Sequence, residues 1–456
     1  MNLKFRLTIM NFLQFAVWGA YLTCMGAYLA THGMAGKIGI FYSIQGIVSI
    51  FMPALMGIIA DKWIPAQRLL GICHGISGVA MICAALYGIS AGDAVQFSPL
   101  FSLYTVGVAF YMPTLALSNA VAYNALEKSG LDTVKTFPSI RVFGTIGFIV
   151  SMWIVDILKF QTTAAQFAVS GGIGIALALY AFTLPNCPTN NSSNQKSIIE
   201  ALGLKAFSLF KQKRMAIFFI FSMLLGVSLQ ITNGFANPFL HSFGNLQEYS
   251  NTFGVQHANI LISLSQISET LCILLIPFFL KRFGIKKVML IAMLGWVLRF
   301  ALFGAGNPGN GVWLFVLSCI VYGVAFDFFN ISGSLFVDKE TTPETRSSAQ
   351  GLFMLMTNGI GATIGTLGAQ LVVNKCVPKV DWHNLGIGHD FGTFEKGKIL
   401  WDKLTSLQLE TIHEQAMAIW QGWQHAWYIF AAYALIVTIL FAIIFKEKEQ
   451  KDWENL

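Results

Sequence analysis

The stretch from Gly57 to Arg68 reads GIIADKWIPAQR and lies between the second and third long apolar runs of the chain. A glycine such as Gly57 lets two membrane helices approach closely, and Asp61 can cap a helix end or pair with a cation. The basic residues of the turn favour a loop that stays in the cytoplasm. The stretch therefore predicts two membrane helices joined by a short cytoplasmic loop.

The composition excludes a soluble protein. The chain has 456 residues, of which 55% are hydrophobic and 11% are charged. Soluble domains carry about 25% charged residues, so the charges are too few to cover the domains that a soluble chain of this length would form. The net charge is +7, but the basic residues are scattered in short clusters between apolar runs. That pattern does not predict a nucleic-acid partner.

Twelve apolar runs are long enough to cross a bilayer, which takes about 20 residues per helix. A polar stretch at 185–213 divides them into six and six and predicts a cytoplasmic linker with a short surface helix from Ile198 to Phe210. We therefore expect an all-α membrane protein with twelve transmembrane helices in two six-helix halves, 1–184 and 214–456. The runs lie at roughly 5–30, 37–60, 68–90, 98–126, 137–158, 163–184, 214–243, 255–280, 287–305, 311–337, 346–374 and 421–445.

The distribution of Lys and Arg predicts the orientation. If the N-terminus is cytoplasmic, 20 of these residues fall on the inner side, 7 on the outer side and 2 inside spans. The positive-inside rule then places both termini in the cytoplasm. The longest outer loop covers about 375–420, and Leu404 to Ala418 predicts a short helix in it. A surface excursion is favoured there over a lid.

Four predicted spans carry polar or aromatic side chains at helical spacing. Residues three or four apart share one face of a helix, so each set forms one stripe. The members are Arg141, Thr145 and Phe148 in the fifth span, Gln230 and Asn233 in the seventh, Gln266 and Glu269 in the eighth, and Tyr322, Phe326 and Asp327 in the tenth.

Each stripe has a structural explanation beside the functional one. Amides in membrane helices often hold neighbouring helices together, and Arg141 is close enough to its span end to reach the cytoplasmic surface. Glu269 and Asp327 are harder to explain in this way, because each lies near the bilayer centre, where a carboxylate needs a cation partner. Arg141 and Arg299 are the candidates, and we expect Arg299 to pair with an acidic group of the second half.

The chemistry of the stripes favours a neutral ligand with several hydroxyl groups. One arginine beside two carboxylates does not form the basic cluster that a phosphate or an organic acid needs. Aromatic side chains offer flat surfaces to a ring, so a sugar, or a base joined to a sugar, fits. A buried carboxylate can take up a proton on one side of a membrane and release it on the other. The aromatic residues are Trp18, Phe148, Tyr322 and Phe326.

Two resemblances rest on these residues. GIIADKWIPAQR resembles the signature loop of the major facilitator superfamily, and a weaker echo, FLKRFGIKK at 279–287, occupies the same place in the second half. Through nearly its whole length the chain also resembles the NupG-type nucleoside:proton symporters of bacteria. The stretches that carry this second resemblance are Met1 to Gly19, Phe51 to Trp63, MAIFFIFSMLLG at 215–226, LQITN at 229–233, SQISET at 265–270 and YGVAFDFFNISG at 322–333.

The resemblance implies the major facilitator fold and proton-coupled import of purine and pyrimidine nucleosides across the bacterial cytoplasmic membrane by alternating access. It implies nucleoside contacts for every stripe residue except Asp327, which matches the proton-coupling position, with Glu269 as a second candidate. A nucleoside such as uridine or adenosine, protons and the lipid bilayer are the expected partners. No cofactor, metal or obligate protein partner is implied. Ser228 stands where the family can have an acid, so fine specificity is not carried over.

Other functions share some of these features. A proton-coupled sugar symporter would have the same fold, carboxylates and amides. A membrane-embedded enzyme is not favoured, because the chain has no His-Glu-x-x-His motif and no Cys–His cluster. Its histidines are dispersed, and His74 is expected near a span end. A channel would need a continuous polar pore, whereas the stripes stop short of both surfaces.

Overall fold

The structure is a computed structural model that describes residues 2–187, 204–387, 391–395 and 398–446. Most of these residues are helical, because a backbone in lipid must satisfy its own hydrogen bonds. Nine helical stretches of the described residues are long and apolar enough to cross a membrane. The prediction of a helical, multi-pass membrane protein is confirmed.

The helices and strands have the following bounds. Up to residue 187 the helices are α1 (Leu3–Gly19), α2 (Met25–Thr31), α3 (Ile38–Lys62), α4 (Ala66–Ala91), α5 (Phe97–Lys128), α6 (Thr133–Ile157) and α7 (Ala165–Ala181). From residue 204 the α-helices longer than four residues are α8 (Lys213–Leu229), α9 (Ile231–Ser242), α10 (Ala258–Cys272), α11 (Ile276–Ala305), α12 (Val312–Glu340), α13 (Pro343–Met354), α14 (Ala362–Cys376) and α15 (Ser406–Ile444). Two short antiparallel strands are β1 (Phe394–Glu395) and β2 (Lys398–Ile399).

By contact the chain forms two units, of which the first contains Met1–Leu22, Ile40–Val227 and Gly333–Ile364. Glycines let its helices approach closely. In α6, a Cβ at Gly147 would strike the backbone carbonyl of Phe12 in α1. In α1, a Cβ at Gly19 would strike the carbonyl of Phe148 in α6. The two helices therefore touch backbone to backbone, which fixes the α6 stripe against α1.

The second unit contains Thr23–Gly39, Ser228–Ser332 and Gly365–Leu456. Aromatic rings fill the contact between α11 and α15, where Phe303 stacks on Trp427 with ring centroids 4.9 Å apart. In the same unit, Gly323 of α12 faces the backbone of Ser268 in α10. This close approach brings the polar stripes of α10 and α12 together.

The two units do not follow the two predicted halves. Residues 23–39 belong to the second unit, and residues 333–364 belong to the first. The division into six-helix halves at 1–184 and 214–456 stays a prediction. Residues 198–203 of the predicted linker helix, which runs from Ile198 to Phe210, lie outside the described residues, and the remainder is a 3₁₀ helix over Leu204–Lys211.

Two predicted spans are interrupted helices. The span expected at 5–30 is divided into α1 and α2 by turns over 20–24, and the span expected at 214–243 is divided into α8 and α9 at Gln230. Helix interruptions at membrane depth occur where the backbone is buried in protein or lines a cavity. The sequence stays apolar through both, so periodicity alone does not show them.

A 48-residue helical stretch, Ala258–Ala305, includes the eighth and ninth predicted spans. Gly284 breaks it with φ 75° and ψ 170°, a conformation that glycine adopts without strain. This residue lies in FLKRFGIKK, where the sequence predicts a loop. The break replaces that loop, so two spans follow each other almost directly.

The long loop predicted at about 375–420 is shorter than expected. The last helix begins at Ser406, where Thr405 and Gln408 form a reciprocal capping box. Leu404 to Ala418 was expected to form a separate short helix, and from Ser406 onward it continues without a break into the last predicted span. The loop before it holds the β1–β2 hairpin. Ile387 and Ile399 of this loop pack with Ile412 of the last helix in a small apolar core.

Candidate functional site

The α6 stripe packs on α1 in the first unit, and we call Phe15, Trp18, Arg141, Thr145 and Phe148 the α1–α6 cluster. The Arg141 guanidinium lies over the ring of Phe15, 3.9 Å from its centroid. The ring of Phe148 meets Trp18 edge to face with centroids 6.2 Å apart. Thr145 lies between Arg141 and Phe148 on the same helix face. Arg141 and Phe148 therefore both contact α1, which adds two aromatic rings to the stripe.

Trp18 is held by Gln45, a residue outside the four predicted stripes. Its indole N–H donates to Gln45 Oε1 over 3.2 Å, and Gln45 Nε2 donates to the Tyr104 hydroxyl over 2.8 Å. Gln45 is buried in the apolar helix α3. A lone amide in an apolar span is a signal of a buried polar contact, and it could have identified Gln45 from the sequence.

His74 belongs to a second buried network of this unit. It was expected near a span end, but it lies within α4 with no exposed surface. Its Nε2 is 2.7 Å from Gln14 Oε1, and Gln14 Nε2 donates to the Thr114 hydroxyl over 2.7 Å. The Tyr111 hydroxyl donates to the backbone carbonyl of Gln14. These bonds hold α1, α4 and α5 together, because a buried polar group needs its partners.

In the second unit, Gln230 and Asn233 contact each other. Asn233 Nδ2 donates to Gln230 Oε1 over 2.9 Å, and both side chains are half-buried. Gln230 occupies the interruption between α8 and α9. Two amides at a helix break combine donors and acceptors that a hydroxylated ligand can use.

The stripes of α10 and α12 meet in what we call the α10–α12 cluster, made of Gln266, Glu269, Tyr322, Phe326 and Asp327. Tyr322 stacks on Phe326 with centroids 5.5 Å apart and planes 15° from parallel. The Tyr322 hydroxyl interacts with Gln266, and it also interacts electrostatically with the carboxyl groups of Glu269 and Asp327. The two carboxylates interact with each other. The structure therefore brings all five residues together, as the helical spacing allowed but could not show.

Asp327 is the most deeply placed acid of the cluster, with 5% of its surface exposed. Its Oδ2 has no hydrogen-bond partner among the described residues. Glu269, Gln266 and Phe326 are only half-buried and remain accessible to a ligand. A buried carboxyl oxygen without a partner is more stable when it carries a proton, because an isolated buried charge is costly.

Arg299 does not form the ion pair expected of it. Its Nη1 donates to the backbone carbonyl of Ser318 over 2.9 Å and to the Ser265 hydroxyl over 3.3 Å. Its guanidinium lies over the ring of Tyr322, 4.4 Å from the centroid. No carboxylate of the described residues pairs with Arg299, so the expected ion pair with an acidic group is wrong for this part of the chain. The sequence could not show which side chains of α10 and α12 would face α11.

Comparison with known proteins identifies the family. A family model described as nucleoside H+ symporter matches residues 1–387 of the chain. The chain belongs to the nucleoside H+ symporter family. The resemblance inferred from the sequence is confirmed.

Relatives and solved structures of this family agree with the match. Nucleoside permease NupG of Escherichia coli (strain K12) is 44% identical over 98% of this chain and 97% of its own length. Xanthosine permease of the same organism is 43% identical over 98% of this chain and 96% of its own length. A crystal structure of nucleoside transporter NupG matches with a TM-score of 0.81 at 43% identity, and the match covers 98% of this chain and all of that one.

A more distant match supports the fold alone. The crystal structure of a D-xylose-proton symporter has a TM-score of 0.67 at 11% identity over the full length of both chains. The nearer relatives are permeases, which confirms that this symporter-family chain is a transporter and not an enzyme.

Proposed function

We propose that this nucleoside H+ symporter imports purine and pyrimidine nucleosides across the bacterial cytoplasmic membrane together with protons, by alternating access. The observation that carries the proposal is the α10–α12 cluster. A stacked aromatic pair, an amide and two interacting carboxylates lie together on two adjacent membrane helices. Family membership and the relatives named NupG and xanthosine permease support nucleosides as the substrate class.

The proposed architecture has twelve spans with both termini in the cytoplasm. Nine apolar helical stretches support it, and the break at Gly284 makes two spans of the longest one. The interrupted pair α1–α2 and the shorter apolar helix α7 supply the other two. The excess of Lys and Arg in the predicted inner loops supports the orientation.

Each chemical part of a nucleoside has suitable partners in the proposed binding residues. Aromatic rings can stack on the base, and amides can read its edge or the ribose hydroxyls. The carboxylate of Glu269 can accept hydrogen bonds from ribose hydroxyls, which are stronger than bonds between neutral groups. The proposed contacts are Arg141, Thr145, Phe148, Gln230, Asn233, Gln266, Glu269, Tyr322 and Phe326.

Asp327 is the proposed proton carrier, with Glu269 as the second candidate. Asp327 is nearly enclosed and lacks a hydrogen-bond partner for Oδ2 among the described residues, so its proton is stabilised by burial. Glu269 interacts with it and is more accessible. A proton on the carboxyl pair reduces the repulsion between two acids, and a nucleoside hydroxyl can then bind beside them.

A competition assay tests the substrate class. Uptake of radiolabelled uridine into proteoliposomes is measured with the inside alkaline, in the presence of excess adenosine, cytidine, xylose or lactose. We expect adenosine and cytidine to suppress uptake and the sugars to leave it unchanged. Suppression by the sugars alone would show that the protein is the sugar symporter considered above.

A further inference from the structure

Arg299 is a buried cation that the proposed transport steps do not use. It lies in α11 with 2% of its surface exposed, and it is the one lysine or arginine among the described residues that is buried to this degree. An unpaired guanidinium inside a membrane helix bundle is costly. Because this charge is costly and has no acidic partner among the described residues, we expect Arg299 to have a role other than ion pairing.

Hydrogen bonds and aromatic rings fix the position of the Arg299 side chain. The Ser318 carbonyl and the Ser265 hydroxyl accept hydrogen bonds from Nη1, and the Ser318 hydroxyl donates to the Arg299 carbonyl over 2.9 Å. Two aromatic faces complete the surroundings, Tyr322 at 4.4 Å and Phe303 at 5.6 Å. The guanidinium is thus fixed by α10 and α12 and turned onto the Tyr322 ring.

The Tyr322 ring is held by groups of different kinds. Arg299 lies over its face, Phe326 stacks on it, and Trp296 meets it edge to face with centroids 5.9 Å apart. Its hydroxyl interacts with Gln266. Loss of the guanidinium plane would let the ring turn, and both the aromatic stack and the Gln266 contact would change.

We propose that Arg299 is a positioning residue for nucleoside recognition, which acts by holding the Tyr322 ring in place. The inference rests on the proposed function, in which Tyr322, Phe326 and Gln266 contact the nucleoside. Arg299 itself does not touch the substrate. Its planar guanidinium is required and its charge alone is not sufficient, because an ammonium group cannot stack on a ring and donate to Ser265 and Ser318 in the same geometry.

Arg299→Lys removes the planar guanidinium group and keeps the positive charge. We expect the Kd for uridine and the KM for uptake to rise about tenfold, the size of a lost hydrogen bond from a buried charged group, while the maximal rate stays within about twofold. Arg282→Lys is the matched control. Arg282 lies just before the break at Gly284, over the ring of Phe283 at 5.8 Å, but it is exposed, and we expect its substitution to leave both constants unchanged.

A double-mutant cycle distinguishes positioning from a general packing defect. If Arg299 acts through Tyr322, Arg299→Lys has no further effect on uridine affinity once Tyr322→Leu has removed the ring. Effects that multiply in the double variant would overturn the inference. If Arg299→Lys fails to fold, Ser265→Ala removes one anchor of the guanidinium and is expected to weaken uridine binding about threefold. Unchanged binding in that folded variant would also count against the inference.

The proposed function and this inference fail in different ways. If the unaltered protein neither binds nor transports uridine, the proposed function is wrong. If it binds and transports uridine, but Arg299→Lys has the Kd of the unaltered protein, only the role of Arg299 is wrong.

Discussion

Gly323→Ala tests whether the close approach of α10 and α12 builds the α10–α12 cluster. An added Cβ would lie 2.5 Å from the Ser268 carbonyl oxygen, 2.6 Å from its carbon and 2.7 Å from the Ser268 Oγ. Two of these atoms belong to the backbone, so a rotamer change cannot relieve the contact. An ordinary contact of ~3.5 Å or more requires the helices to separate by roughly 1 Å.

The magnitude follows from two opposed effects. Overpacking costs ~1–3 kcal/mol, and alanine in a helix gains ~1 kcal/mol over glycine. The net loss of stability is therefore modest, ~0–2 kcal/mol. Displacement of a site by ~1 Å can reduce activity about 100-fold. We expect Gly323→Ala to fold but to lose at least ten-fold in uridine uptake.

Thermal unfolding and uridine uptake are measured together for this variant and a matched control. Gly368→Ala in α14 is that control, because its added Cβ meets no heavy atom of the described residues within 4 Å beyond the backbone of its own helix. We expect Gly368→Ala to raise the unfolding temperature slightly and to transport normally. If Gly323→Ala transported uridine as well as Gly368→Ala does, the packing of α10 on α12 would not determine the site.

Two further substitutions test separate contacts. Gln266→Ala leaves the Tyr322 hydroxyl and the ligand without an amide partner, so uridine affinity measured by calorimetry should fall ~10-fold or more. Substitution of the exposed Gln247 by Ala is the control. Equal affinities of the two variants would show that Gln266 is not part of the site. Asn259→Ala removes a buried oxygen that accepts from Thr23 and Asn237 over 3.0 and 2.9 Å, so the unfolding midpoint should fall by the equivalent of ~1–3 kcal/mol; an unchanged midpoint would show that these bonds add nothing to stability.

Much of the fold could be predicted because membrane helices are long and apolar. Within the stretch from Gly57 to Arg68, a short loop at 63–65 separates α3 from α4 as expected. The polar stripes lie on helices, as their spacing predicts. On α10 and α12 this was enough to select the residues of one cluster. Ionisable side chains in an apolar run are rare enough to be informative without any knowledge of tertiary structure.

The remainder depends on which helices are neighbours. Periodicity shows that Arg299 lies in an apolar span, but its partners come from α10 and α12 and include a backbone carbonyl. Charge complementarity predicts an acidic partner for Arg299, whereas in the structure a hydroxyl group, a backbone carbonyl and an aromatic ring contact it. Gln45 and His74 were passed over for the same reason, since their networks join helices that are distant in sequence.

Helix interruptions also could not be predicted. The residues at 20–24 and at Gln230 are compatible with a continuous helix, and no proline or charge marks either break. The continuity of α15 could not be predicted either, because its polar first turns indicate a separate short helix in the outer loop. Local composition predicts which segments lie in the bilayer, but it does not predict where the helical backbone is interrupted.

The most direct test of proton-coupled nucleoside import is a pH measurement. Proteoliposomes that enclose a pH-sensitive dye, with no imposed gradient and with valinomycin and potassium to prevent charge build-up, receive external uridine. We expect uridine to acidify the interior with the unaltered protein and with the exposed control Asp402→Asn, and not with Asp327→Asn. Uridine that enters without any change of internal pH in the unaltered protein would contradict the account.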